Sequence, residues 1–147
     1  MPSSLVVPIR RLDPDLPLPA KAHPDDAGLD LYARVDALLP RNGGRVLVPT
    51  GVAVAIPRGH MGMVVPRSGL ALKHGVSLVN TPGIIDSAYR GELQVIMINH
   101  DASIDYQVHR GDRIAQLIVQ AIGDVVWSPI EVLDDNDRGG GFGHSGR

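Results

Sequence analysis

Short apolar runs separated by glycine and proline set the limits on what this chain can become. They fall at residues 5–12, 45–48, 52–56, 61–65, 76–79, 93–99, 113–122 and 125–132. Their length, their β-branched content and the turn residues at their borders predict strands in a mostly antiparallel sandwich or barrel. Seventeen glycines and twelve prolines supply the turns. Aromatics are only 3% against 44% hydrophobic residues, so the core is aliphatic. A chain of 147 residues can bury it in one domain. Residues 93–98 and 113–122 are apolar almost continuously, which predicts burial on both strand faces and hence contact between subunits.

One segment breaks the β pattern: Ser68-Gly-Leu-Ala-Leu-Lys-His74, followed by Gly75. It reads as a short helix with Ser68 as N-cap and Gly75 as the left-handed residue after its end. Beyond Asp134 the chain turns charged and then glycine-rich, so a folded body over 1–134 and a mobile tail over 135–147 are expected. Trp127 is expected to pack in the last strand or at an interface.

A net charge of −2 and a pI near 6.3 provide no basic patch of the kind a nucleic-acid polymer requires. The absence of cysteine excludes a disulfide framework and thiolate zinc sites. No apolar run reaches membrane-spanning length, and the start Met1-Pro-Ser-Ser has neither the basic nor the apolar region of a signal peptide. A cytoplasmic location is the expectation. The six histidines show no metal-ligand spacing.

Four stretches carry groups suited to chemistry. In Pro66-Arg-Ser-Gly-Leu-Ala71, Arg67, Ser68 and Gly69 stand at the helix start, where free N–H groups favour an anion. An ordinary capped helix accounts for the same residues. Between strands, Asn80-Thr-Pro-Gly-Ile-Ile-Asp-Ser-Ala-Tyr-Arg-Gly-Glu92 has the length of a hairpin. There Ile84 and Ile85 set Asp86 beside apolar walls, a setting for a general base; a solvated turn carboxylate is the alternative. Among Asp25, Asp26 and Asp30, the last lies between Leu29 and Leu31 at a strand start and is the better candidate for Mg²⁺, which needs only one or two carboxylates beside phosphates. Gln116 interrupts an apolar strand and needs partners, either structural or from a ligand. Arg110-Gly-Asp112 reads as a turn. The tail, Arg138-Gly-Gly-Gly-Phe-Gly-His-Ser-Gly-Arg147, holds the only phenylalanine, Phe142. An aromatic face, guanidinium groups and open backbone N–H groups suit a ligand with a flat ring and a phosphate chain; a solvated terminus is the alternative.

Taken in order, five segments make the chain resemble the homotrimeric deoxyuridine triphosphatases, the dUTPases, of the bacterial type. They are Ala27-Gly-Leu-Asp-Leu-Tyr32, Pro66-Arg-Ser-Gly-Leu-Ala71, Gly83-Ile-Ile-Asp-Ser-Ala-Tyr-Arg-Gly-Glu92, Arg110-Gly-Asp-Arg-Ile-Ala-Gln116 and Gly141-Phe-Gly-His-Ser-Gly146. The resemblance implies an all-β, β-clip or jelly-roll-like barrel that assembles as a homotrimer, with sites between subunits and each site closed by a neighbour's tail. It implies that dUTP is the substrate, Mg²⁺ the cofactor, and dUMP and pyrophosphate the products. Asp86 is then the carboxylate that activates water, and Asp30 steadies a water on Mg²⁺. Arg67, Ser68 and Gly69 cradle phosphate, with Gln116 near the α-phosphate. Asn80 and the hairpin backbone at Ile85 read uracil, and Tyr89 is the ring under deoxyribose. Phe142 stacks on the base, while Gly143, Ser145 and Arg138 face the phosphates. One departure from the family pattern stands out: a residue fewer separates Arg138 from Phe142. A deoxycytidine triphosphate deaminase of the same fold and a non-catalytic trimeric nucleotide-binding module are the alternatives.

Overall fold

The computed structural model describes residues 3–134 and 139–141. Among the described residues ten strands and one helix follow in order: β1 (Ile9–Arg11), β2 (Leu29–Tyr32), β3 (Ala37–Leu39), β4 (Gly44–Val54), β5 (His60–Val65), α1 (Ser68–His74), β6 (Val76–Leu78), β7 (Gly83–Ile85), β8 (Glu92–Asn99), β9 (Tyr106–Val108) and β10 (Arg113–Ala121). Two four-stranded sheets, ordered β1-β4-β8-β6 and β2-β10-β5-β7, form a jelly-roll-like sandwich, and the pair β3-β9 is the third, smallest sheet. Every described strand pair is antiparallel. The all-β expectation with one short helix is met.

The core is aliphatic and draws on both large sheets. Leu31, Val64 and Leu117 from one join Val48, Val54, Leu93, Val95 and Met97 from the other in a single buried cluster. Alternation along β8 explains the division, with Leu93, Val95, Met97 and Asn99 buried. Ile96 and Ile98 on its other face are only half-buried, as are Ile118 and Val119 on β10. The expectation that both faces are buried is therefore not met within one chain. Asn99 satisfies its burial by donating to the Leu39 and Ile104 carbonyls, at 3.1 and 2.9 Å, which holds the small sheet against the large one.

The runs at 45–48 and 52–56 belong largely to one strand rather than two. Its register against β8 shifts between Pro49 and Ala53, where Gly51 takes a left-handed φ of 76°. A Cβ at Gly51 would also come within 2.9 Å of the Asp13 Cβ.

The helix spans the expected residues and ends as expected, with Gly75 at φ 66°. Its N-cap position falls on Arg67, not Ser68. Arg67 continues the extended backbone of β5 while Ser68 is already helical, and no side chain caps the end. The last expected strand, 125–132, does not form: it pairs with no strand among the described residues, and Trp127 is 85% exposed. A strand exists only through a partner's hydrogen bonds, and the described residues of one chain offer none here. Arg138, Phe142, Gly143 and Ser145 lie outside the described residues.

Candidate active site

Sheet register assembles the first group of residues. Asp30 on β2 pairs with Gln116 on β10, which pairs on its other side with Val65 of β5. Because β5 runs directly into Arg67 and α1, three adjacent strands set Asp30, Gln116 and the helix start side by side. The Asp30 side chain is 5% exposed, with Arg67 Nε 3.8 Å from Oδ1 and Arg113 Nη1 3.6 Å from Oδ2. Arg67 Nη1 also donates to the Arg113 carbonyl at 3.2 Å. Two guanidinium groups around one carboxylate leave an excess positive charge, which suits a polyphosphate.

Close packing holds Gln116 in place, since a Cβ on Gly28 would lie 3.0 Å from the Gln116 Cβ and 3.2 Å from its Oε1. Ser68 and Gly69 are exposed at the first turn of α1, and nothing within 4 Å would meet a Cβ on Gly69. The backbone there is open to an approaching oxygen. A depression of about 260 Å³ follows, lined by Arg67, Leu70, Tyr106, Gly111, Asp112 and Arg113. Burial, reinforced by the nearby Asp112 charge, raises the Tyr106 pKa, so its hydroxyl stays a proton donor.

Asp30 Oδ1 is buried without a hydrogen-bond partner among the described residues. A buried carboxylate oxygen in that state can accept from an ordered water. Among the described residues no three His, Cys, Asp or Glu side chains gather to cage a cation. The donor set therefore fits a hydrated Mg²⁺ carried by phosphates, touched by Asp30 through water.

The second group lies around β7, which pairs with β5 through Gly83↔Val64 and Ile85↔Gly62. A depression of about 350 Å³ is lined there by Asn80, Ile84, Ile85, Asp86, Tyr89 and Glu92, with Leu47, Leu93 and Gln94. The Tyr89 amide donates to the Asp86 carbonyl at 3.1 Å, closing a turn. Its hydroxyl donates to the Glu92 carbonyl at 2.8 Å. Glu92 Oε1 in turn accepts from Arg34 Nη1 and from the Gly51 amide, both at 3.0 Å. Asp86 itself is exposed, so one chain does not surround it with the apolar walls expected from Ile84 and Ile85.

The two depressions have no lining residue in common. One chain therefore presents a phosphate-suited half and a ring-suited half as separate surfaces. The sequence alone does not mark Arg113, Tyr106 or Glu92 individually. Arg113 carries a signal only once β10 is paired with β2, which brings its guanidinium to Asp30.

Comparison with known proteins bears on the whole chain. The dUTPase family model matches residues 15–146. A deoxyuridine 5'-triphosphate nucleotidohydrolase of Nocardia farcinica is 54% identical over 141 residues, 95% of this chain and 85% of the relative. The dUTPase of Staphylococcus bacteriophage 80alpha, solved with dUPNHPP, shares the fold at a TM-score of 0.87 and 24% identity, covering 98% of this chain and 100% of that one. A mutant dUTPase from phage phi11 of S. aureus, whose structure shows a coordinated structural Mg(II) ion, matches at a TM-score of 0.79 and 24% identity over 88% of this chain and 99% of that one. With a family model spanning most of the sequence and a relative above half identity, the chain belongs to the dUTPase family.

Proposed function

We propose that this protein hydrolyses dUTP to dUMP and pyrophosphate with Mg²⁺, lowering dUTP and supplying dUMP. The observation that carries the reading is the pair of unshared half-sites, one built on Arg67, Arg113 and buried Asp30, the other on Asp86 and Tyr89. Water attacks the α-phosphorus as Asp86 orients it and takes its proton. A phosphorus–oxygen bond forms, the bond from the α-phosphorus to the bridging oxygen breaks, and pyrophosphate leaves. Such cleavage needs positioning and charge neutralisation rather than a covalent nucleophile. Arg67, with the exposed Ser68 and Gly69 backbone, holds phosphate oxygens, and Gln116 stands near the α-phosphate. Asp30 would hold Mg²⁺ through water, and the ion would supply further charge neutralisation.

Asn80 and the backbone at Ile85 read uracil, and the Tyr89 ring supports deoxyribose. Arg138, Phe142, Gly143 and Ser145 belong to a tail over 135–147 that closes the site. Two separate half-sites in one chain favour sites that lie between subunits, and the family resemblance makes that assembly a homotrimer. No helix among the described residues is long and apolar enough to cross a membrane, and we place the enzyme in the cytoplasm, with no nucleic-acid polymer as partner. Product analysis with Mg²⁺ and a panel of nucleoside triphosphates tests the assignment. Pyrophosphate is expected from dUTP, with dCTP, dTTP and UTP poor substrates. Equal turnover of dUTP and dTTP would sink the uracil reading, and ammonia release from dCTP would replace hydrolysis by deamination.

A further inference from the structure

Glycines stand behind several residues of the site, and the tightest contact is at Gly91. A Cβ there would lie 2.6 Å from the Tyr89 Oη, 2.8 Å from Cζ and 3.2 Å from Cε2. Real Cβ atoms do not approach heavy atoms below about 3.0 Å without something moving, because the repulsive wall is steep. All three nearest atoms belong to the Tyr89 ring. Gly91 is not among the glycines with positive φ, so its backbone conformation is open to any residue. It is also exposed, so no core packing calls for a small residue. The Tyr89 side chain is what a Cβ at this position would meet first.

Tyr89 is 42% exposed and has room to swing outward. Its inward pose depends on the space above Gly91 and on the hydroxyl bond to the Glu92 carbonyl. That carbonyl belongs to a residue whose carboxylate is pinned by Arg34 and the Gly51 amide. We propose that Gly91 is a positioning residue: by lacking a side chain it fixes the pose of the Tyr89 ring and so sets discrimination between deoxyribose and ribose. The second half of that statement rests on the proposed placement of Tyr89 against the sugar; the first does not.

Two measurements on the full-length protein separate the halves. Ring-labelled tyrosine NMR, with the Tyr89 signals identified by their loss in Tyr89→Ala, reads the pose directly. In Gly91→Ala the Tyr89 ring signals shift while those of Tyr32 and Tyr106 stay in place; unmoved Tyr89 signals overturn the positioning role. The second measurement is the ratio of kcat/KM for dUTP to that for UTP. It falls in Gly91→Ala by roughly tenfold to a hundredfold, the scale of about 1 Å of misplacement, and Gly91→Ala adds no further loss in a Tyr89→Ala background. A moved ring with an unchanged ratio removes Tyr89 from sugar recognition. A further loss in the double variant, or unfolding that Tyr89→Ala does not relieve, overturns Gly91 as acting through the ring.

Discussion

Asp86 stands exposed at its depression, beside the turn that the Tyr89 amide closes on its carbonyl. The turn fixes the Asp86 backbone, and its carboxylate is open to solvent rather than walled by apolar side chains. Asp86→Asn preserves the shape and removes the carboxylate proposed as the base. The variant should bind a non-hydrolysable dUTP analogue with near-native affinity while kcat for dUTP falls by about 10²–10⁴-fold. Titration calorimetry and a pyrophosphate assay check the pair, and near-normal turnover would remove Asp86 from the mechanism. At this scale, Asp30 was legible because a carboxylate between two leucines demands a reason. Arg113 was not, since its contact with Asp30 arises from a pairing between residues far apart in sequence.

Among the elements, a polar network ties the turn before β10 to the segments that follow β1 and β2 and to the start of β8. Arg110 grips Asp13 through two hydrogen bonds, Nη1 to Oδ2 at 2.5 Å and Nη2 to Oδ1 at 3.0 Å, and donates to the Arg34 carbonyl. Arg34 reaches both Asp13 and Glu92. The Arg110 hydrogen bond holds the Asp13 carboxyl below the ordinary carboxylate range. A depressed folded-state pKa contributes stability that is complete above the unfolded value of about 3.9 and is lost as pH falls through the folded value. Thermal unfolding should therefore show Arg110→Ala destabilised most near neutrality, with its gap to wild type narrowing below about pH 4. A gap independent of pH would take the ion pair out of the account. The sequence marked 110–112 as a turn, and Gly111 with φ 88° makes it one. It did not show that the arginine beside that glycine is an anchor.

For the whole molecule, the decisive feature is that the two proposed half-sites line separate depressions on one chain. If subunits share sites, two variants damaged in different halves can complement each other. Arg67→Ala and Asp86→Asn should each be nearly inactive alone. Reassembled together from unfolded chains, random mixing gives each site about one chance in four of drawing both intact halves, so activity should recover to roughly a quarter of wild type. No recovery in mixed assemblies would place both halves of a site in the same chain. The exposed run at 125–132 belongs to this scale as well. Its apolar pattern was plain in the sequence, but the partner that would make it a strand is not supplied by the chain's own sheets.

Local chemistry settled what a short window of residues can settle. Apolar runs bounded by glycine and proline dictated antiparallel strands, Gly75 ended the helix, and the motif segments carried the family likeness. Those features depend on backbone conformation and on side-chain type, both encoded within a few positions. The tertiary structure decided what depends on approach in space. It merged two runs into β4, moved the helix cap from Ser68 to Arg67, set two arginines against Asp30, and placed the Tyr89 ring over Gly91. Each of these is fixed by strand register and excluded volume, which only the folded chain specifies.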